Sequence, residues 1–294
     1  MFDDKSYVKF RILPTCSREY HLGFKCGSKC HRQIVAEWGE ALPFKRSVIV
    51  PKSSFEYYIA HVDPIVDETF YIDWFSLKEN AHRHKLVLKV DEGNLPSYRV
   101  KELILDNVKN LPEKLSPDLK EIPVIAFYDN SSVICVWKRI EESGYQFLEG
   151  WNGMYGKQLL IAFDEITPKL CDEAAESHQR RPSFVVSDLI NIMSQSPEEK
   201  INNLHVKVTN DSKNPVLIEF ENYDGIKKEA TPAFLMAMLL KEHLNAIKEE
   251  TDLKVTELGF YFITQTQEEK ISRIKKHLEE SCEMLKIGCC FVNS

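Results

Sequence analysis

Residues 124–138, VIAFYDNSSVICVWK, constrain this chain more than any other stretch. An apolar run enters a short polar turn and returns as a second apolar run that ends at Trp137, the pattern of two tightly joined strands. In outline this is a hairpin of the kind that grips phosphate. Its turn holds no glycine, the residue that lets backbone amides close around an anion. Whether the grip is there separates an enzyme from a non-catalytic protein.

The 294 residues suffice for one large or two ordinary domains. With 43% hydrophobic and 28% charged residues the chain is supplied for a buried core. A formal charge of −7 and a pI near 5.8 argue against a nucleic-acid partner. No apolar run reaches the ~18–20 residues of a membrane span, so no membrane partner is expected. The opening MFDDKSYVKF lacks the apolar core of a secretory signal. The eight cysteines are scattered, and without such a signal they read as reduced thiols of the cytoplasm or nucleus.

Two regions read differently. Residues 1–118 carry short β-branched or aromatic runs between polar, Pro and Gly punctuation: YVKFRIL, EYHLGFKC, RSVIV, FEYYIAHV, TFYIDWFSL and HKLVLKV. The spacing of Val100, Leu103, Ile104 and Val108 predicts a helix over 97–111, making this a β-rich α+β domain. Proline and charge in LPEKLSPDLKEIP place a linker there, and the boundary near 118. Residues 119–294 read as α/β: hairpin, strand, helical stretch, β-hairpin, helix, strand, helix. Thr231 caps a helix with Pro232 at its first position and a stripe of Leu235, Leu239, Leu240, Leu244 and Ile247. Thr266 and Glu269 form a capping box for a second helix with Ile271, Ile274, Leu278 and Leu285 on its apolar face.

From about Ile122 to the end, the order of segments resembles the N-terminal part of the ATPase domain of the 70-kDa heat-shock chaperones. SSVICVWK resembles the second strand of that family's first phosphate hairpin, which also ends in Val-Trp. LIAFDE with CDEAAESHQ is similar to the family's next strand and its Gly-Asp-Ala-Ala helix. VVSDLINIMS is similar to its Phe-Asp-Ala-Lys-Arg-Leu-Ile-Gly segment. VKVTNDSKNPVLIEFENYDGIKKEATPAFLMAMLLKEHL and DLKVTELGFYFITQTQEEKISRIKKHLEESCEMLKIG resemble the hairpin–helix and strand–helix units that follow. The resemblance implies half of an actin-like, ribonuclease H-like lobe. The chain stops at CCFVNS, so the second phosphate loop, the adenosine pocket and the opposite lobe of the family are expected to be missing.

The residues that carry the family's chemistry are replaced. The family has Asp-Leu-Gly-Thr-Thr at the first phosphate loop. Counting back from Trp137 puts Ala126 at the aspartate, Tyr128 at the glycine, and Asp129 and Asn130 at the threonines. A phenol there fills phosphate space, and Asp129 repels an anion. The family's catalytic lysine falls at Ile190 and its catalytic glutamate at Asn293, leaving no ammonium for the transferred phosphate. The expectation is a pseudo-ATPase without catalytic residues, ATP or magnesium. It would act as a heat-shock-70-like, chaperone-associated scaffold that binds a protein partner or itself. The alternative is an ATP-binding chaperone of the same family.

A third reading is a zinc-dependent binding module. Cys16, Cys26, Cys30 and His31, with His21 nearby, supply thiolate and imidazole ligands, and Cys26-x3-Cys30 is an allowed spacing. No second Cys/His pair lies downstream at finger-like distance, and His82 and His84 could serve only by tertiary coincidence. The competing reading is a glycine-containing hairpin that carries thiols. EGWNGMYGK reads as a turn with Trp151 and Tyr155 packing, and HQRRP as a solvated helix end.

Overall fold

The computed structural model describes residues 13–63, 65–66, 68–115, 121–139, 144–196, 207–212, 214–263 and 267–292. Most of YVKFRIL, Thr266 of the expected capping box, and Asn293 lie outside these described residues. The chain is mixed α/β and divides into two units. The first holds the described residues up to Val50, with Phe55–Lys78 and Arg83–Leu103. The second holds Pro51–Ser54, Glu79–His82 and the described residues from Ile104 onward. The boundary expected near residue 118 thus lies inside the second unit. Burial is the reason: Val108, Leu111 and Leu115 pack with Val124, Ala126 and Val133.

In the first unit, alternation of apolar and polar residues gives seven strands. They are β1 (Glu19–Cys26), β2 (Lys29–Ala36), β3 (Phe44–Pro51), β4 (Glu56–Asp63), β5 (Glu68–Ser76), β6 (Arg83–Val90) and β7 (Pro96–Leu103). One sheet has the order β2-β1-β4-β5 and the other β3-β6-β7. Leu22, Ile59, Leu86 and Leu88 from both sheets meet in one buried cluster. Each such side chain contributes about 1.5–3 kcal/mol relative to an exposed position.

The helix expected over 97–111 is not formed. Residues 96–103 are β7, paired antiparallel with β6 so that Tyr98 meets Leu88 and Val100 meets Leu86. Tyr98 and Val100 pack on the core while Ser97, Arg99 and Lys101 are exposed, a period of two that outweighs the approximate helical spacing. A single turn, α1 (Asp106–Lys109), follows in the second unit and covers only the end of the expected range. Among its described residues the first unit is all β rather than α+β.

The second unit is built on a mixed sheet of order β10-β9-β8-β18-β19. Its strands are β8 (Val124–Tyr128), β9 (Ser131–Lys138), β10 (Gly144–Phe147), β18 (Glu257–Phe262) and β19 (Gly288–Phe291). The first three are joined antiparallel, and β18 runs parallel to both β8 and β19. The short strand β11 (Lys157–Gln158) pairs with β9. Two small sheets accompany it. One contains β12 (Ile161–Ala162), β13 (Lys169–Leu170) and β14 (Val185–Val186); the other contains β15 (Lys207–Thr209), β16 (Leu217–Glu221) and β17 (Lys227–Ala230).

The short helices α2 (Leu111–Lys114), α3 (Ala175–Arg180) and α4 (Leu189–Ser194) are joined by two long ones, α5 (Pro232–Thr251) and α6 (Glu268–Leu285). The α5 helix starts as its sequence predicts: the Thr231 hydroxyl accepts the Phe234 amide at 3.2 Å, with Pro232 first in the helix. Leu235, Leu239, Leu240 and Ile247 are fully buried, and Ile274 and Leu278 of α6 join the same core.

Candidate functional site

The β8–β9 turn has the predicted place and outline. Tyr128 pairs with Ser131, and Asp129 and Asn130 form the turn, with Asp129 at φ 46°. Asparagine and aspartate reach this left-handed region at low cost. Both oxygens of Asn130 in the turn are engaged by the chain itself. The Asn130 side-chain oxygen accepts the Asp188 amide at 2.9 Å, and its carbonyl accepts the Leu159 amide at 2.9 Å. Burial holds the Asp188 carboxyl above the usual carboxylate range; the Asn191 amide offsets this and the charge of Asp129 adds to it. An anion approaching the turn meets two carboxylates. Ala126 is fully buried in the strand, and Ile190 lies on α4 packed against the core.

Tyr128, at the expected glycine position, is 1% exposed. Its hydroxyl donates to the Tyr155 carbonyl at 2.6 Å, and its ring meets the edge of His82 at 5.2 Å. Burial raises the phenol far above its ordinary pKa, so it stays a donor. Two residues from the short inserted segments complete a clamp on the loop. His82 accepts the Leu105 amide through Nδ1 and donates from Nε2 to the Met154 carbonyl at 2.7 Å, which defines a neutral tautomer. Lys52 donates to the carbonyls of Tyr155 (3.3 Å) and Gly156 (2.8 Å). Burial lowers its pKa, against the opposing pull of Asp172 and Glu79.

Three consecutive carbonyls are therefore held by an imidazole, a phenol and an ammonium. Tyr128→Phe is expected to cost about 1 kcal/mol. Urea unfolding monitors this, and no change would show the phenol bond to be dispensable because Lys52 also serves that carbonyl.

Behind the turn lies a polar network. The Trp151 indole N–H donates to the Ser132 carbonyl (3.1 Å) and hydroxyl (3.0 Å). The Ser132 hydroxyl is 2.7 Å from His243 Nε2, and His243 Nδ1 donates to the Leu239 carbonyl at 2.7 Å. A serine–histidine contact is the geometry of an activated nucleophile. Here both residues have no exposed surface and the second ring nitrogen is spent on its own helix, so no substrate reaches them. The pair organises the core.

The expected zinc ligands are not brought together. Opposite residues of paired strands share a face, and successive residues alternate. Lys25 pairs with Cys30, Phe24 with His31, and Cys26 with Lys29. Cys26 therefore points into the core, whereas Cys30 points to the other face, its sulfur 3.2 Å from the Tyr71 hydroxyl. His31 stacks on Phe24 at 5.1 Å, and Cys16 is buried. His82 belongs to the second unit. Among the described residues no three His, Cys, Asp or Glu side chains are arranged to hold a metal ion. The HQRRP basic spot is partly consumed: Arg181 pairs at 2.8 Å with the buried Asp164 carboxylate, which also accepts the Ser177 hydroxyl.

Lys52, Ser132 and His243 escaped the sequence reading, and His82 was weighed there only as a metal ligand. Each has a partner at least 19 positions away, and only the Trp151 and Gly156 neighbourhood carried a local signal. Compared with known protein families and with curated protein sequences, the chain matches none.

Proposed function

We propose that the second unit is a non-catalytic lobe of the actin-like ATPase type, similar in arrangement to that of the heat-shock chaperones, and that the chain works by binding another protein. The observation that carries this reading is Tyr128. Where the resemblance calls for bare backbone open to a triphosphate, a buried ring is locked by its hydroxyl onto the Tyr155 carbonyl. The Asp129 and Asp188 carboxylates beside it oppose an anion, and Ile190 packs apolar where the resemblance calls for an ammonium.

The strand order supports the lobe assignment: an antiparallel three-strand meander, then two strands parallel to β8, each directly preceded by a long helix. None of the eight cysteines is in a disulfide, which favours a reducing compartment, cytoplasm or nucleus. Among the described residues no helix is long and apolar enough to cross a membrane.

Calorimetric titration with ATP and magnesium tests the reading. No saturable heat is expected up to about 1 mM nucleotide, and a Kd below about 10 µM would overturn it in favour of an ATP-binding chaperone.

A further inference from the structure

The two sheets of the first unit have four edges, and three are protected in the usual way. The edge strand β2 carries Lys29 and Arg32, β3 carries Lys45 and Arg46 and ends at Pro51, and β7 begins at Pro96 and carries Arg99 and Lys101. Basic side chains and prolines on an edge discourage another strand from adding to it. The fourth edge, β5, reads ETFYIDWFS, with neither basic residue nor proline. Phe70, Tyr71, Ile72 and Trp74 are 44%, 44%, 48% and 36% exposed along it. The β4–β5 ladder bulges at Ile72, which faces no residue of β4, since Ile59 pairs with Asp73 and Ala60 with Tyr71. Along it Tyr71 stacks on Trp74 at 4.8 Å and Phe75 on Tyr98 at 4.3 Å.

Charge says what fits this edge. At the start of β5, Glu68 stands directly across from Asp63 of β4, a like-charge pair that weakens the sheet. Neither carboxylate holds a cation among the described residues. Just past the other end stands Lys78, ion-paired with Glu102 at 2.8 Å but with its side chain 77% exposed and open to a second carboxylate. A strand that is acidic at one end and basic beyond the other complements an antiparallel copy of itself.

We propose that β5 is a homodimer edge: two copies of the chain pair antiparallel through β5 about a two-fold axis near mid-strand. Each copy's Asp63 and Glu68 then lie alongside Lys78 of the other, and the exposed aromatic side chains leave water. Strand addition of this kind takes its affinity from main-chain hydrogen bonds and its specificity from side chains, and a two-fold contact is closed. It does not depend on the reading of the second unit.

Sedimentation equilibrium of the whole chain tests the proposal. Twice the 34.1 kDa chain mass is expected at about 50 µM protein. Ile72→Lys, which adds the charge that the other edges carry, is expected to leave a monomer at that concentration with an unchanged far-ultraviolet spectrum. Glu68→Lys sets lysine against Lys78 and is expected to weaken the dimer about tenfold. A wild-type chain that is monomeric at about 50 µM overturns the proposal, as does a dimer that Ile72→Lys leaves intact.

Discussion

Gly156→Ala is expected to lower the unfolding free energy by about 4 kcal/mol or more, a loss reserved for a short list of mechanisms. Gly156 sits at φ 60°, ψ −178°, a region almost closed to residues with a β-carbon and costing about 1–3 kcal/mol for those forced into it. Space adds to the strain. A β-carbon there would fall on the Ser132 carbonyl oxygen, 2.8 Å from its carbon and 2.9 Å from the Val133 side chain. That carbonyl cannot swing aside cheaply, because it accepts the Trp151 indole and lies where β9 pairs with β11. The Gly156 carbonyl in turn receives Lys52 and the Asn152 side chain. One methyl group therefore strains the backbone and loosens two hydrogen-bonded clusters. Urea unfolding gives the number from the midpoint at unchanged slope. Gly225→Ala is the control: it shares a positive φ of 71° but has open space around its β-carbon, and about 1 kcal/mol is expected. Equal losses in the two proteins would show that the crowding at Ser132 relaxes freely.

That site shows what a single sequence does and does not reveal. The β8–β9 hairpin, β1 and the capped start of α5 were legible because each rests on neighbours in the chain: alternation, a turn dipeptide, Thr231 before Pro232. The β7 strand was misread as helix because apolar residues at 100, 103, 104 and 108 satisfy a helical period only approximately. The pairing with β6 that decided the matter is a tertiary fact. The proposed zinc ligands show the same limit. Cysteine spacing looked suitable, but strand register sends Cys26 and Cys30 to opposite faces. Lys52 and His82 lie in segments with no apolar pattern and acquire a role only where two short insertions join the second unit.

Acidification from pH 7 to pH 5 is expected to remove about 2 kcal/mol of stability through His243 alone. Burial, its largest cause, lowers the His243 pKa from the ordinary 6.5 to about 4, partly offset by the bond to the Leu239 carbonyl and reinforced by Lys157. Below pH 6.5 the unfolded chain takes up a proton that the folded chain refuses. The contribution is therefore fully present above about pH 6.5 and is lost as pH falls toward about 4. Geometry explains the refusal: Nδ1 already donates to the Leu239 carbonyl, and Nε2 accepts the Ser132 hydroxyl. Protonating Nε2 would make it a donor, forcing that hydroxyl to turn away, between two side chains with no exposed surface.

His21 in the first unit is also lowered to about 4, by burial first and then by Arg32 and His61, so its unit is acid-sensitive over the same interval. The variant that separates the two is His243→Gln, which keeps a polar side chain and loses the titration. It costs stability at pH 7, but the gap between wild type and variant is expected to close by about 2 kcal/mol by pH 5. A gap that stays constant across that range would mean the folded protein accepts the proton at His243 and the buried network tolerates a cation.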